Sequence, residues 1–128
     1  MTSKKILIVD DSKTMVKIND NIIKQLGITD ITHAFDGAEG LAKYKEAYKS
    51  EPFDLILSDI NMPIMNGFEL LKAIREVDKN VGIFMITTEG GREEVIKALR
   101  SGANNYIIKP IDKEVLKNKI TEFFSSRK

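Results

Sequence analysis

Acidic, hydroxyl and amino side chains follow four of the five short apolar stretches in this sequence. Asp10 and Asp11 follow the first stretch, Asp59 the third, Thr87 the fourth and Lys109 the fifth. A continuous apolar run that ends at turn-forming residues is typical of a β-strand buried on both faces. Parallel strands end at a common edge of their sheet, where open α/β proteins bind ligands. We therefore predict that these five side chains lie close together.

This set of side chains is suited to phosphoryl chemistry with a metal ion. Three carboxylates that lie close together repel one another and favour a bound divalent cation. Oxygen ligands without histidine or cysteine suit a hard ion, Mg²⁺ or Mn²⁺. A hydroxyl and an ammonium beside such an ion can bind the oxygens of a phosphoryl group. The acceptor would be a carboxylate, because aspartate can attack phosphorus as a nucleophile.

The apolar stretches alternate with segments of helical periodicity. The predicted strands are Ile6–Val9, Ile31–Ala34, Phe53–Ser58, Ile83–Ile86 and Tyr106–Ile108. The first predicted helix has apolar positions at Met15, Ile18, Ile22 and Leu26, before a C-cap at Gly27, and the second has them at Ala38, Leu41, Ala42 and Ala47. The third helix has Leu70, Leu71, Ile74 and Val77, and the fourth has Val95, Ile96 and Leu99. The fifth helix has Leu116, Ile120, Phe123 and Phe124. Such alternation favours right-handed crossovers and a parallel sheet with helices on both faces. The sequence predicts one doubly wound α/β domain over residues 1–128.

Composition narrows the class of protein further. The chain has 128 residues, 42% of them hydrophobic, which suits a single domain with one substantial core. Its net charge of +1 gives no reason to expect binding to nucleic acid or to an anionic membrane. It contains no cysteine, and no apolar stretch approaches the roughly 20 residues of a membrane span. We expect a soluble, cytoplasmic protein.

The combined motifs resemble those of the receiver domains of two-component response regulators. The paired acids follow the first strand, Asp59-Ile60-Asn61-Met62-Pro63-Ile64-Met65-Asn66-Gly67 follows the third, Thr87 follows the fourth, and Lys109-Pro110 follows the fifth. The resemblance covers nearly the whole chain and is strongest to the stand-alone regulators of chemotaxis. It implies a five-stranded sheet in the flavodoxin-like order 2-1-3-4-5 and no output domain.

The resemblance also assigns roles at the metal site. It implies that Asp59 accepts the phosphoryl group. Asp11 and Asp59 would bind Mg²⁺ directly together with the backbone carbonyl of Asn61, and Asp10 would act through water. Lys109 would hold a phosphoryl oxygen.

Further roles concern the conformational switch. The resemblance implies that Thr87 is drawn toward the phosphoryl group and that Tyr106 turns inward in response. The switch would be read on the face formed by the fourth helix, the fifth strand and the fifth helix. Glu89, two residues after Thr87, matches the chemotaxis regulators. The Lys109-Pro110 peptide bond is expected to be cis.

The function implied is that of a signalling protein, with catalysis limited to its own phosphorylation and dephosphorylation. A histidine kinase would supply the phosphoryl group, and the modified monomer would bind the flagellar motor switch, with a phosphatase as a further partner. The alternative within the family is a phosphorelay intermediate that passes the group to a histidine phosphotransfer protein.

Two hypotheses from other classes of protein fit the sequence less well. A haloacid-dehalogenase-like phosphatase would carry Asp-x-Asp-x-Thr after the first strand and a cap segment, whereas this chain has Asp10-Asp11-Ser12-Lys13-Thr14. A flavodoxin-like protein would need a Ser/Thr- and Gly-rich phosphate loop there. Taken alone, Asp10 and Asp11 could simply cap the first helix.

Overall fold

Five strands and five helices alternate along the chain in the computed structural model, which describes residues 3–88 and 90–127. The strands are β1 (Lys5–Val9), β2 (Asp30–Ala34), β3 (Leu55–Ser58), β4 (Gly82–Thr87) and β5 (Asn105–Ile108). The helices are α1 (Lys13–Lys24), α2 (Gly37–Tyr48), α3 (Gly67–Arg75), α4 (Arg92–Arg100) and α5 (Lys113–Ser125). Glu89 lies outside the described residues. None of these helices is long and apolar enough to cross a membrane.

The sheet is parallel throughout, with the strand order β2-β1-β3-β4-β5. This confirms the predicted fold and strand order. Val9, the last residue of β1, pairs with Ser58, the last residue of β3. The ladder continues one step further, because the backbone N–H of Asp59 donates to the Val9 carbonyl oxygen at 2.9 Å. The backbones of Asp10 and Asp59 therefore lie side by side at the carboxyl edge of the sheet.

Apolar side chains cover both faces of the sheet. Alternate strand residues point to opposite faces, so each face forms its own core. Leu7, Val9, Ile56 and Met85 pack with α2, α3 and α4. The opposite core contains strand residues such as Ile6 and Ile8 together with α1 and α5, including the four predicted α5 residues Leu116, Ile120, Phe123 and Phe124.

The predicted inward face of α1 is partly wrong. Ile18 is 41% exposed, while the polar residues Asn19 and Asp20 are buried. The Asp20 carboxylate can be buried because it pairs with Lys24 Nζ at 2.8 Å and with His33 Nε2 at 2.6 Å. α1 also ends at Lys24 with its C-cap at Gln25, before the predicted cap glycine.

The predicted apolar positions of three other helices also need correction. Ala42 is exposed on α2, where Tyr44 is fully buried instead. Val77 is 51% exposed and follows α3, which ends at Arg75. On α4, Ile96 and Leu99 are exposed. Apolar periodicity marks one stripe of a helix, but it does not show whether a neighbouring element covers that stripe.

α4 is the helix with the weakest anchoring among those described. Its only buried residue is Ala98, and its N-cap residue, Gly91, offers no side chain to the free N–H groups of the first turn. In contrast, the Asn66 and Glu69 side chains form a reciprocal capping box at the start of α3. Few buried contacts and a missing cap both lower the free energy needed to displace a helix.

A partly buried hydrogen bond links α2 to the turn that precedes β4. The Tyr44 hydroxyl donates to Asp78 Oδ2 at 2.6 Å, and the Tyr44 side chain is fully buried. Asp78 Oδ1 accepts two further hydrogen bonds from the backbone N–H groups of Asn80 and Val81. Although burial raises the pKa of the Asp78 carboxyl, these hydrogen bonds outweigh that effect and hold it below its ordinary value.

We predict that Tyr44→Phe lowers the free energy of unfolding by roughly 1.5–3 kcal/mol, because one hydrogen bond to a charged group is lost. Tyr48→Phe is the matched control, since Tyr48 is 48% exposed and its hydroxyl donates over a longer distance of 3.3 Å to the Val77 carbonyl. Urea unfolding at neutral pH measures both variants. Equal losses in the two would contradict the importance of the Tyr44–Asp78 hydrogen bond.

Candidate functional site

Three carboxylates meet at the carboxyl edge of the sheet, as the sequence predicts. Asp10, Asp11 and Asp59 each offer an oxygen atom, and these oxygens all lie within 4.8 Å of one another. Asp10 and Asp59 are buried, while Asp11 is exposed. The cluster is thus a small acidic pocket that opens to solvent on one side.

Lys109 reaches this pocket from the end of β5. Its Nζ atom lies 3.0 Å from Asp10 Oδ2 and 3.4 Å from Asp59 Oδ2. The Lys109 side chain is only 12% exposed, so its charge is held among the carboxylates. The Lys109-Pro110 peptide bond is cis, which confirms the expectation from the family resemblance.

Backbone N–H groups orient the two buried carboxylates. Asp59 Oδ1 accepts a hydrogen bond from the Ile60 N–H at 2.7 Å, and Asp10 Oδ1 accepts one from the Ser12 N–H at 2.9 Å. Each acid therefore fixes one oxygen on the backbone and turns the other toward Lys109. The helix cap itself is Ser12, whose hydroxyl accepts from the Met15 N–H, so Asp10 and Asp11 are not needed for that purpose.

The electrostatic environment makes Asp59 a stronger base than an ordinary aspartate. Burial raises the pKa of the Asp59 carboxyl above its usual value. The Lys109 ammonium lowers that pKa, whereas the Asp10 carboxylate raises it, and the net direction is upward. A divalent cation would relieve the repulsion between the two acids.

Gly67 allows α3 to begin directly beside the acidic pocket. A Cβ atom at this position would lie 2.1 Å from the Asp59 carbonyl oxygen and 2.8 Å from the Ile60 Cα. Both contacts are with backbone, which cannot move aside without displacing the acid. The sequence motif contains this glycine, but its packing role could not be deduced before the neighbouring backbone was known.

The remaining predicted residues lie around the pocket at different depths. Thr87 is buried at the end of β4, and its carbonyl oxygen accepts the Lys109 backbone N–H at 2.7 Å. Tyr106 pairs in register with Met85, two residues before Thr87, and packs half-buried against the core that faces α4. Asn61 is exposed in the loop after β3 and lines a groove together with residues of α4.

The donor atoms of the pocket fit a hard divalent cation. All three clustered groups are carboxylates, and their oxygens are close enough together for one ion to contact them. No histidine belongs to the cluster, and the chain contains no cysteine, so the ligand set does not favour a softer metal.

Comparison with known proteins identifies the family. A family model described as the response regulator receiver domain matches residues 6–121. The chain belongs to this receiver domain family. Members of the family are signalling proteins and not classical enzymes, so neither the dehalogenase-like phosphatase nor the flavodoxin-like reading applies.

Curated relatives of this receiver domain are chemotaxis proteins. The Campylobacter jejuni "Chemotaxis protein CheY homolog" is 44% identical over 120 residues, which cover 92% of this chain and 90% of the relative. The Pseudomonas aeruginosa "Chemotaxis protein CheY" is 40% identical over 122 residues, covering 94% and 95% of the two chains.

Solved structures show the same architecture. A chain of the CheX–CheY–BeF3–Mg²⁺ complex from Borrelia burgdorferi has a TM-score of 0.89 and 36% identity, covering 94% of this receiver domain and 89% of that chain. A CheY-like receiver domain protein from Methanospirillum hungatei has a TM-score of 0.86 and 33% identity, with 96% and 94% covered.

We predict that Asp59→Asn makes this receiver domain more stable at neutral pH without divalent cations, by on the order of 1 kcal/mol, because a buried, repelled carboxylate is removed. Since folding raises the pKa of Asp59, the parent loses stability as pH rises from the ordinary aspartate range through that raised pKa. The advantage of the variant should therefore be absent at about pH 3 and complete at pH 7.

Thermal unfolding at both pH values tests this, with Asp30→Asn as the control for an exposed acid outside the cluster. Addition of Mg²⁺ should stabilise the parent more than Asp59→Asn, since the ion binds the folded state. An Asp59→Asn protein that is less stable than the parent at pH 7 without Mg²⁺ would contradict the electrostatic assignment.

Proposed function

We propose that this chain is a stand-alone response regulator that accepts a phosphoryl group from a histidine kinase on Asp59. The single observation that carries the proposal is the position of Lys109 Nζ, within 3.4 Å of Asp59 and 3.0 Å of Asp10, in the acidic pocket of a receiver fold. This arrangement gives a buried nucleophile, a metal-binding cluster and a cation for phosphoryl oxygens in one place.

The transfer forms one bond and breaks one. An Asp59 carboxylate oxygen attacks the phosphorus of the kinase phosphohistidine, the new O–P bond forms, and the N–P bond breaks with its electron pair on the imidazole nitrogen, which a solvent proton neutralises. Lys109 and the Thr87 hydroxyl hold phosphoryl oxygens as charge moves onto them. Hydrolysis of the aspartyl phosphate by water reverses the modification, so the only catalysis is on the protein itself.

Mg²⁺ fits the pocket as the partner of this chemistry. Asp11, Asp59 and the Asn61 carbonyl would hold the ion directly, with Asp10 acting through water, and the bound ion would supply positive charge for the phosphoryl oxygens. The similar CheX–CheY complex from Borrelia burgdorferi contains Mg²⁺ together with BeF3, which supports Mg²⁺ as the ion for this pocket. The all-oxygen cluster would also accept Mn²⁺.

Exposed apolar side chains support an output surface on α4, β5 and α5. Four of the eight exposed large apolar side chains in the described residues lie on these elements, namely Ile96, Leu99, Ile108 and Val115. Thr87 and Tyr106 lie on the strands next to α4, where a shift of either side chain would reach this surface. Phosphorylation would shift a two-state equilibrium that the partner reads.

The names of the relatives point to chemotaxis as the process served. We propose a CheA-like histidine kinase as the phosphoryl donor and a FliM-like flagellar motor switch protein as the receptor. The domain would cover residues 1–128 and act as a monomer in the cytoplasm.

The first test of this function is phosphorylation by a small donor. Acetyl phosphate with Mg²⁺ should add one phosphoryl group that hydroxylamine removes, as measured by intact mass. Asp59→Asn, or removal of Mg²⁺ with EDTA, should abolish labelling because the nucleophile or the charge compensation is lost. Asp54→Asn, which changes an acid just before β3 at the opposite end of that strand, is the control and should label normally. Full labelling of Asp59→Asn would refute the acceptor assignment.

The second test concerns the output surface. We predict that Tyr106→Ala accepts the phosphoryl group normally but gains little affinity for a FliM-like motor switch protein when beryllofluoride and Mg²⁺ are added. The parent should gain about 5- to 150-fold, the usual range of allosteric coupling. Tyr48→Ala, another partly exposed tyrosine, should behave as the parent. Calorimetric titration measures each affinity, and an undiminished gain in Tyr106→Ala would exclude Tyr106 from the switch.

A further inference from the structure

The loop between β3 and α3 carries one residue with an unusual backbone. Ile64 has a φ of +70°, and no other non-glycine residue in the described parts of the chain has a positive φ. L-residues avoid this region, and a β-branched residue there is an outlier. The Ile64 side chain is also 82% exposed, the highest fraction among the exposed large apolar side chains described.

A hydrogen bond across Ile64 defines the turn. The Met65 N–H donates to the Pro63 carbonyl oxygen at 2.7 Å. This bond, together with the positive φ between its two ends, corresponds to the rarer and more strained form of γ-turn. Glycine or asparagine would adopt the same backbone with less strain. Isoleucine therefore makes the turn less stable than glycine or asparagine would.

The rest of the loop holds this turn in place. The Gly67 N–H donates to the Ile60 carbonyl oxygen at 2.8 Å, which closes the base of the loop. At Gly37, the first residue of α2, a Cβ atom would lie 2.1 Å from the Met65 carbonyl oxygen, so α2 packs directly against the loop. Met62 and Met65 pack against the core. Asn61, Pro63 and Ile64 are exposed, and Ile64 is the large apolar side chain among them.

Neither folding nor packing accounts for an isoleucine here. Its side chain stabilises nothing by burial, and its backbone carries strain that the surrounding structure enforces. Strain held in place in this way is characteristic of functional positions. Residues 61–66 also carry no charged side chain, in a chain that is 30% charged. The tip of the loop thus presents an apolar side chain within a segment that carries no charge of its own.

We propose that Ile64 is a docking residue for the protein that delivers the phosphoryl group, and that it contacts an apolar patch beside the donor's phosphohistidine. This inference rests on the proposed acceptor role of Asp59. A protein-borne phosphohistidine must approach the carboxyl edge until its phosphorus meets Asp59, so the donor has to cover the loop that follows Asp59.

The test compares a protein donor with a small one. The protein donor is the host histidine kinase that phosphorylates the parent fastest in a phosphotransfer profile, and the small donor is phosphoramidate, which has the same P–N bond. Ile64→Asn should lower kcat/KM for the kinase roughly tenfold, the scale of losing apolar surface buried on a partner. Its rate with phosphoramidate should match the parent, and its melting temperature should be equal or higher because the turn is relaxed.

Three further variants make the result specific. Ile64→Gly relaxes the backbone and removes the side chain, so its kcat/KM for phosphotransfer from the kinase should fall as it does in Ile64→Asn. Ile64→Leu keeps the apolar surface and should retain most of it. Val77→Asn removes an exposed apolar side chain from the turn before β4 and should have no effect.

The outcomes separate the docking role from the proposed function. Kinase transfer that stays within about twofold of the parent in Ile64→Asn and Ile64→Gly overturns the docking role. An equal loss with both donors also overturns it, because Ile64 would then act on the geometry of the pocket. A parent that neither donor phosphorylates on Asp59 overturns the proposed function and the docking role together.

Discussion

The ammonium of Lys109 between two buried carboxylates is the interaction on which the rest of this structure depends. Asp10 and Lys109 are 99 positions apart in the chain, yet their side chains meet at 3.0 Å. Only a parallel sheet that ends β1, β3 and β5 at one edge brings them together. Buried charges are tolerated when they are paired, and removing Lys109 would leave the two buried carboxylates uncompensated. The strand order is therefore a requirement of the electrostatics.

The positive charge of Lys109 does not balance the negative charges of the acidic cluster. Lys109 contributes one positive charge, whereas Asp10, Asp11 and Asp59 contribute three negative ones when ionised. A divalent cation would compensate the excess, and a phosphoryl group would then add negative charge that the existing groups do not balance. We infer that this imbalance draws the Thr87 hydroxyl inward. The pocket is thus suited both to receive a phosphoryl group and to respond to it.

Strand ends and their reactive residues could be predicted because buried parallel strands leave an apolar run that stops at a polar residue, as at Asp59. Contacts that depend on a residue far away in the sequence could not be predicted. Asp20 is polar yet buried, because its carboxylate pairs with His33 and Lys24. Leu99 fits an apolar stripe, but its side chain is 46% exposed. The strained turn at Ile64 breaks a local preference, so local preferences could not reveal it.

The two sides of the pocket differ in rigidity, and this difference fits the two tasks of a receiver domain. The loop after β3 is held by the close packing at Gly67 and Gly37, so Asp59, the proposed nucleophile, keeps its position. Transfer needs such accuracy, because small displacements of reacting groups are costly in rate. α4 buries only Ala98 and lacks a side-chain cap. Displacing α4 should therefore cost less free energy than displacing the loop after β3. Phosphoryl transfer would thus use the rigid side, and signalling the loosely attached one.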